Sequence, residues 1–170
     1  NYSDKSYGEM TFRRALENSN NLITLKIGLD LGINKVSKFF KDINLYENDD
    51  QKDVYSSLLG AIENNLLNIT KSYSVFVNGG YQVEPNIIKK VVSDKGNLVF
   101  NQDYFSCNYC NFKITDRSYR KPQIQSKQDN IISPQTSYQI LSILRGAIKR
   151  GTGKSLNSIQ YPIAGKTGTT

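Results

Sequence analysis

Two short polar groups in this chain have the residue types for acid–base work and for binding a carboxylate. Ser19-Asn20-Asn21 offers a hydroxyl able to pass a proton and, two residues on, an amide able to hold a carbonyl. Lys166-Thr167-Gly168-Thr169 offers an ammonium and two hydroxyls, all natural donors to a carboxylate. On a strand, Lys166 and Gly168 face one way and Thr167 and Thr169 the other. A glycine at a strand edge allows close backbone approach, so a peptide-like ligand could add alongside by main-chain hydrogen bonds. Each group also has a plainer reading. Ser19 and Asn21 could simply cap adjoining helices, and the lysine-threonine run could be a strand–turn of small residues. A phosphate loop is a poor match, because the full pattern of glycine, four residues, then Gly-Lys-Ser/Thr is absent.

The two cysteines form Cys107-Asn-Tyr-Cys110, half of a four-ligand zinc site with no histidine in the chain to complete it. A local disulfide, two reduced thiols and half of a shared metal site are all compatible with that spacing. No cofactor is expected.

The elements that position these groups are legible in outline. Thr11 is suited to cap a helix over Phe12–Glu17, and the polar run 18–21 reads as a loop or helix junction. Leu22, Leu25 and Leu29, then Ile33, Val36 and Phe40, recur at three and four and predict two short helices around Gly32. Thr70 is a candidate cap for a helix through Tyr73, Phe76 and Val77 that ends at Asn78-Gly79-Gly80. The β-branched run 87–93, a turn at 94–97 and Leu98–Phe100 predict a hairpin. Residues 101–130 have no firm period and read as an irregular excursion that could hold one strand. Ser133-Pro134 opens a helix striped by Tyr138, Leu141, Leu144 and Ile148, with Gly151-Thr-Gly153 ending it. The final residues, Lys166–Thr170, are expected to be a strand.

The 170 residues suffice for one modest domain, and a net charge of +7 favours anionic partners. The basic residues are scattered in pairs such as Arg13-Arg14, Lys89-Lys90 and Lys149-Arg150, so nucleic acid is not expected to be a partner. A cationic face toward an anionic envelope polymer or membrane surface suits the same charge. No apolar run reaches the roughly 18 residues that cross a bilayer.

Taken in order, four segments resemble the transpeptidase domain of class A, bifunctional penicillin-binding proteins. They are Thr11–Asn21, Thr70–Gly80, Pro85 with the hairpin that follows, and Gly151-Thr-Gly153 with Ile163-Ala-Gly-Lys-Thr-Gly-Thr-Thr170. The resemblance implies an α+β fold of the penicillin-binding, β-lactamase-like kind, an antiparallel sheet with a helical subdomain, with residues 1–170 as a partial transpeptidase domain. It implies a serine acyl-transfer enzyme at the periplasmic face of the bacterial inner membrane, held by an N-terminal anchor. Its partners would be peptidoglycan stem peptides ending in D-Ala-D-Ala, and β-lactams in the intact protein. Carried over, Ser19 shuttles a proton, Asn21 holds an amide carbonyl and Lys166 supplies positive charge. Thr167 and Thr169 engage the substrate carboxylate, Gly168 leaves room, and the Thr169 N–H serves an oxyanion hole.

The nucleophile of that family sits in a Ser-x-x-Lys motif ahead of the Ser-x-Asn motif, and residues 1–18 contain none. Ser118-Tyr-Arg-Lys121 matches by letters but lies between the other motifs, with Pro122 directly after it. The expectation is therefore a chain that does not acylate by itself, with the Ser-x-x-Lys segment upstream and further strands after Lys-Thr-Gly. Two alternatives remain: a non-catalytic module that binds cell-wall peptide, and a carboxypeptidase or β-lactamase-like homologue.

Overall fold

The structure, a computed structural model, describes residues 8–46, 55–110 and 121–168. Helix α1 (Phe12–Glu17) starts where Thr11 Oγ1 accepts the Arg14 N–H at 3.3 Å, as its cap position predicts. Helices α2 (Asn21–Leu31) and α3 (Ile33–Asp42) meet at Gly32, whose φ of 86° turns the chain between them. A 3-10 turn (Tyr55–Leu59) lies against α2, with the Leu58 side chain filling the space beside Gly28.

Helix α4 (Leu66–Val77) begins earlier than the sequence suggests. Its cap is Asn65, whose Oδ1 accepts the Asn68 N–H at 2.8 Å. Thr70 lies one turn inside, where its hydroxyl donates back to the Leu66 carbonyl at 2.7 Å, the arrangement by which a threonine is tolerated in a helix interior. The helix ends as predicted at Asn78, followed by Gly79 and Gly80 at φ 64° and 92°.

Strand β1 (Lys90–Val92) pairs antiparallel with β2 (Leu98–Asn101) around Gly96, and Ile87 and Ile88 of the expected strand stay outside the ladder. The stretch expected to be irregular holds a second hairpin. There β3 (Phe105–Asn108) pairs with β4 (Gln123–Ser126), and Cys107 and Cys110 form a disulfide at the end of β3. The two hairpins are separate two-stranded sheets among the described residues, so the α+β class holds with its antiparallel pairing in two pieces. Ser118 lies outside the described residues, and Lys121 stands in a non-helical approach to β4.

Helix α5 (Pro134–Lys149) is the centre of the packing. Ser133 Oγ accepts the Thr136 N–H at 3.1 Å, with Pro134 in the first turn. Ile143, Leu144, Ala147 and Ile148 of α5 are buried with Ala15 of α1 and Val75 of α4, and α5 packs on both of those helices. Buried hydroxyls tie the layers together. Ser137 donates to the Phe76 carbonyl at 2.8 Å, and Ser72, on α4, donates to the Ile43 carbonyl at 2.7 Å. Ser72 is only 1% exposed, so Ser72→Ala strands a buried carbonyl. The expected cost is about 1–3 kcal/mol, read from denaturant melts.

Candidate active site

The turn between α1 and α2 is built to a tight pattern. The Ser19 N–H donates to the Leu16 carbonyl at 3.1 Å and the Asn20 N–H to the Ala15 carbonyl at 2.9 Å, the paired bonds of a Schellman termination. Asn20 then caps α2 by accepting the Ile23 N–H at 3.1 Å. Ser19 thus occupies the left-handed position that such terminations usually give to glycine, at φ 56°. A serine there costs roughly 1–2 kcal/mol of backbone strain. Strain of this kind clusters where a side chain is needed in one place. Asn21, expected in the loop, is instead the first residue of α2 and is exposed.

The end of α5 is fastened to that turn. Arg150 forks onto the Glu17 carboxylate, with Nη2 donating to Oε1 at 2.5 Å and Nε to Oε2 at 3.2 Å. The Glu17 side chain is 6% exposed and that of Arg150 58%. The hydrogen bond to Glu17, and then its charge, raise the Arg150 pKa above the ordinary arginine value. Arg13 Nη1 also lies 3.7 Å from Glu17 Oε1. Two glycines make room: a Cβ on Gly146 would overlap the Glu17 carboxylate and crowd the Arg150 guanidinium, and one on Gly151 would overlap the Glu17 carbonyl. Alanine ordinarily gains about 1 kcal/mol over glycine inside a helix. Gly146→Ala is expected to lower Tm all the same, because the new methyl has no space beside the ion pair; calorimetry checks the sign.

Beyond Arg150 the chain returns to the turn. The Thr152 N–H donates to the Glu17 carbonyl at 3.2 Å, and the Thr152 and Thr167 hydroxyls share a hydrogen bond of 2.6 Å. Lys166 Nζ donates to Ser19 Oγ at 2.8 Å and to the Thr167 carbonyl at 2.8 Å. Burial lowers the Lys166 pKa from its ordinary value, because a desolvated ammonium is disfavoured.

Of the residues singled out in the sequence, the fold brings Ser19, Lys166 and Thr167 together. Thr167 joins Lys166 instead of facing away, because the lysine folds back along its own backbone. Gly168 is exposed, with nothing within 4 Å of where a Cβ would stand. Thr169 lies outside the described residues. Of the strand expected over 166–170, the described part, 166–168, is not a strand, and 162–168 is held through the Gly165 N–H to the Leu144 carbonyl at 3.3 Å and through these side chains. A strand requires a ladder partner, and among the described residues that segment has none. Sequence reasoning missed Glu17, Arg150 and Thr152. Gly151-Thr152-Gly153 was legible as a helix stop, and its small residues were the signal of close approach.

The profile of the penicillin binding protein transpeptidase domain matches residues 1–170, and the chain belongs to that family. Its relatives are more particular. Penicillin-binding protein 1A of Rickettsia typhi is 36% identical over 170 residues, covering 99% of this chain and 21% of the relative. The protein of the same name from Aquifex aeolicus is 28% identical, covering 100% of this chain and 20% of that one.

Among solved structures, penicillin-binding protein 1A from Haemophilus influenzae superposes with a TM-score of 0.74 at 26% identity, over 95% of this chain and 26% of that one. The D,D-transpeptidase domain of peptidoglycan glycosyltransferase from Eggerthella lenta shares the fold, with a TM-score of 0.64 at 18% identity over 98% and 43% of the two chains. The chain spans about a fifth, 21%, of the length of the Rickettsia relative.

Proposed function

We propose that these residues form two sides of the cleft of a serine D,D-transpeptidase that cross-links peptidoglycan. The observation that carries this reading is the 2.8 Å hydrogen bond from Lys166 Nζ to Ser19 Oγ, which joins groups 147 positions apart. With that lone pair occupied by the ammonium, the Ser19 O–H is free to turn toward a reacting nitrogen. The lowered pKa of Lys166 makes proton exchange through the pair easier.

In the proposed reaction a serine of a Ser-x-x-Lys motif, supplied from outside these 170 residues, attacks the carbonyl carbon of a D-Ala–D-Ala bond. A C–O bond forms, the amide C–N bond breaks, and D-alanine leaves with a proton relayed through Ser19. An amine of a neighbouring strand then attacks the ester carbonyl. The new amide forms, the serine oxygen leaves, and the amine's proton returns by the same relay. Asn21 holds the donor's amide carbonyl, Thr167 and Thr169 take the terminal carboxylate, Gly168 leaves space for the peptide, and the Thr169 N–H completes the oxyanion site. The parent protein is placed on the periplasmic side of the inner membrane by an anchor elsewhere in its chain.

Fluorescent penicillin tests the reading. The longer protein that contains this chain is expected to form a covalent adduct, and residues 1–170 alone are expected to form none. Adduct formation by the short chain would put the nucleophile inside it and overturn that part of the proposal. Ser19→Gly is a sharper test within the longer protein. It relieves the left-handed strain and leaves Tm equal or higher, yet it slows acylation by about 10²-fold or more. Intact stem peptide with no released D-alanine would favour the non-catalytic module instead.

A further inference from the structure

We propose that the Glu17–Arg150 ion pair is a positioning clamp that fixes the Ser19 turn against the Lys166-Thr167 segment. The inference rests on the reading of Ser19 and Lys166 as parts of one cleft. Glu17 and Arg150 touch no reacting group in that reading; they act through Ser19 and Thr152.

The contacts close a ring. Glu17 stands two residues before Ser19, and Arg150 two residues before Thr152. From Arg150 the ring runs through Thr152 to Thr167 by the 2.6 Å hydroxyl pair, and then from Lys166 back to Ser19 at 2.8 Å. The Thr152 N–H to the Glu17 carbonyl, at 3.2 Å, braces it across the middle. Neighbouring Cα atoms are held about 3.8 Å apart. A shift of Glu17 relative to Arg150 is thereby coupled to the Ser19–Lys166 contact through short runs of backbone and two side-chain hydrogen bonds.

Several features are hard to explain by stability alone. Glu17 sits in the last turn of α1, where the helix dipole disfavours a carboxylate. Glu17 is 4% exposed but the Arg150 side chain is 58% exposed, and an ion pair with one partner in solvent contributes little net stability. Gly146 and Gly151 both leave space for this one side chain and its carbonyl. What the planar two-bond fork supplies is direction, since it fixes the angle as well as the distance between its partners.

The test uses the longer protein with the isosteric Glu17→Gln and with Arg150→Lys, which keeps the charge but loses the fork. Stopped-flow acylation by fluorescent penicillin separates the rate constant at saturating ligand from the fraction of protein labelled. Both variants are expected to keep the labelled fraction and to lose about 10- to 100-fold in the rate constant, as a misplacement of about 1 Å produces. Reductive methylation read by mass spectrometry should show Lys166 modified several-fold faster, because its Nζ is no longer held on Ser19.

A loss confined to the labelled fraction, or unchanged rate constants and Lys166 reactivity in both variants, overturns the clamp. If Glu17→Gln does not fold, Arg150→Lys decides the question alone. If the unmodified longer protein is not labelled, the transpeptidase reading fails. Lys166 methylation then still shows whether Glu17 and Arg150 hold the two segments together.

Discussion

Lys166→Ala in the longer protein should lower the second-order rate of acylation by a β-lactam by about 10²–10⁴-fold, with little change in Tm. The small stability effect follows from position. Lys166 is only part-buried, and its partners are the hydroxyls of Ser19 and Thr167 and the Thr167 carbonyl, not a carboxylate. Given the proposed cleft, the large kinetic effect follows from the same contacts, because the variant loses both its positive charge and the donor to the Ser19 hydroxyl.

The pH dependence carries a sign. Burial pulls the lysine pKa below its ordinary 10.5, so a kinetic limb from this group falls at lower pH than an exposed lysine would give. Lys166→Ala removes that limb. Lys166→Arg restores the charge but not an accessible neutral form, so it is expected to remain slow. A Lys166→Ala protein within threefold of the unmodified rate would remove the lysine from the mechanism.

Gly80→Ala is the largest stability effect expected. Gly80 has φ 92°, its N–H donates to the Val75 carbonyl at 2.9 Å, and its carbonyl accepts the Ile131 N–H at 2.9 Å. A Cβ at this position would overlap the Ile132 carbonyl oxygen. The backbone conformation alone costs about 1–3 kcal/mol for a residue with a side chain. The overlap adds to that, since a backbone carbonyl cannot swing aside as a flexible side chain can. A loss of roughly 3 kcal/mol corresponds to a Tm lower by about 6–12 °C for a domain of this size. Gly79→Ala makes a useful contrast. It has φ 64° but open space around its would-be Cβ, so it bears the conformational cost without the collision. Equal melting of the two variants would show that the Gly80–Ile132 approach is not tight.

Local rules carried much of the fold. Thr11 and Ser133 cap α1 and α5, Gly32 parts α2 from α3, and Asn78-Gly79-Gly80 ends α4, all by interactions within five residues. The misses came where local signals were degenerate or absent. Thr70 is an acceptable cap by residue type and the expected one, but Asn65 takes that place and α4 starts at Leu66. The β3–β4 hairpin had no legible period because its strands are largely exposed on both faces, so nothing forced polar and apolar residues to alternate.

For the site, the sequence by itself determined which chemical groups exist and in what order: a serine and an asparagine two apart, a glycine-flanked threonine, and a Lys-Thr-Gly-Thr run. The ordered set is also enough to indicate the family. Only the tertiary structure decided which of these groups meet. It joined Ser19 to Lys166, added Thr152, and placed Asn21 on the first turn of α2. It also recruited Glu17 and Arg150, which carry no motif. The reason is range. Caps and turns are fixed by neighbours along the chain, whereas a hydrogen bond across 147 positions exists only after α5 has packed on α1.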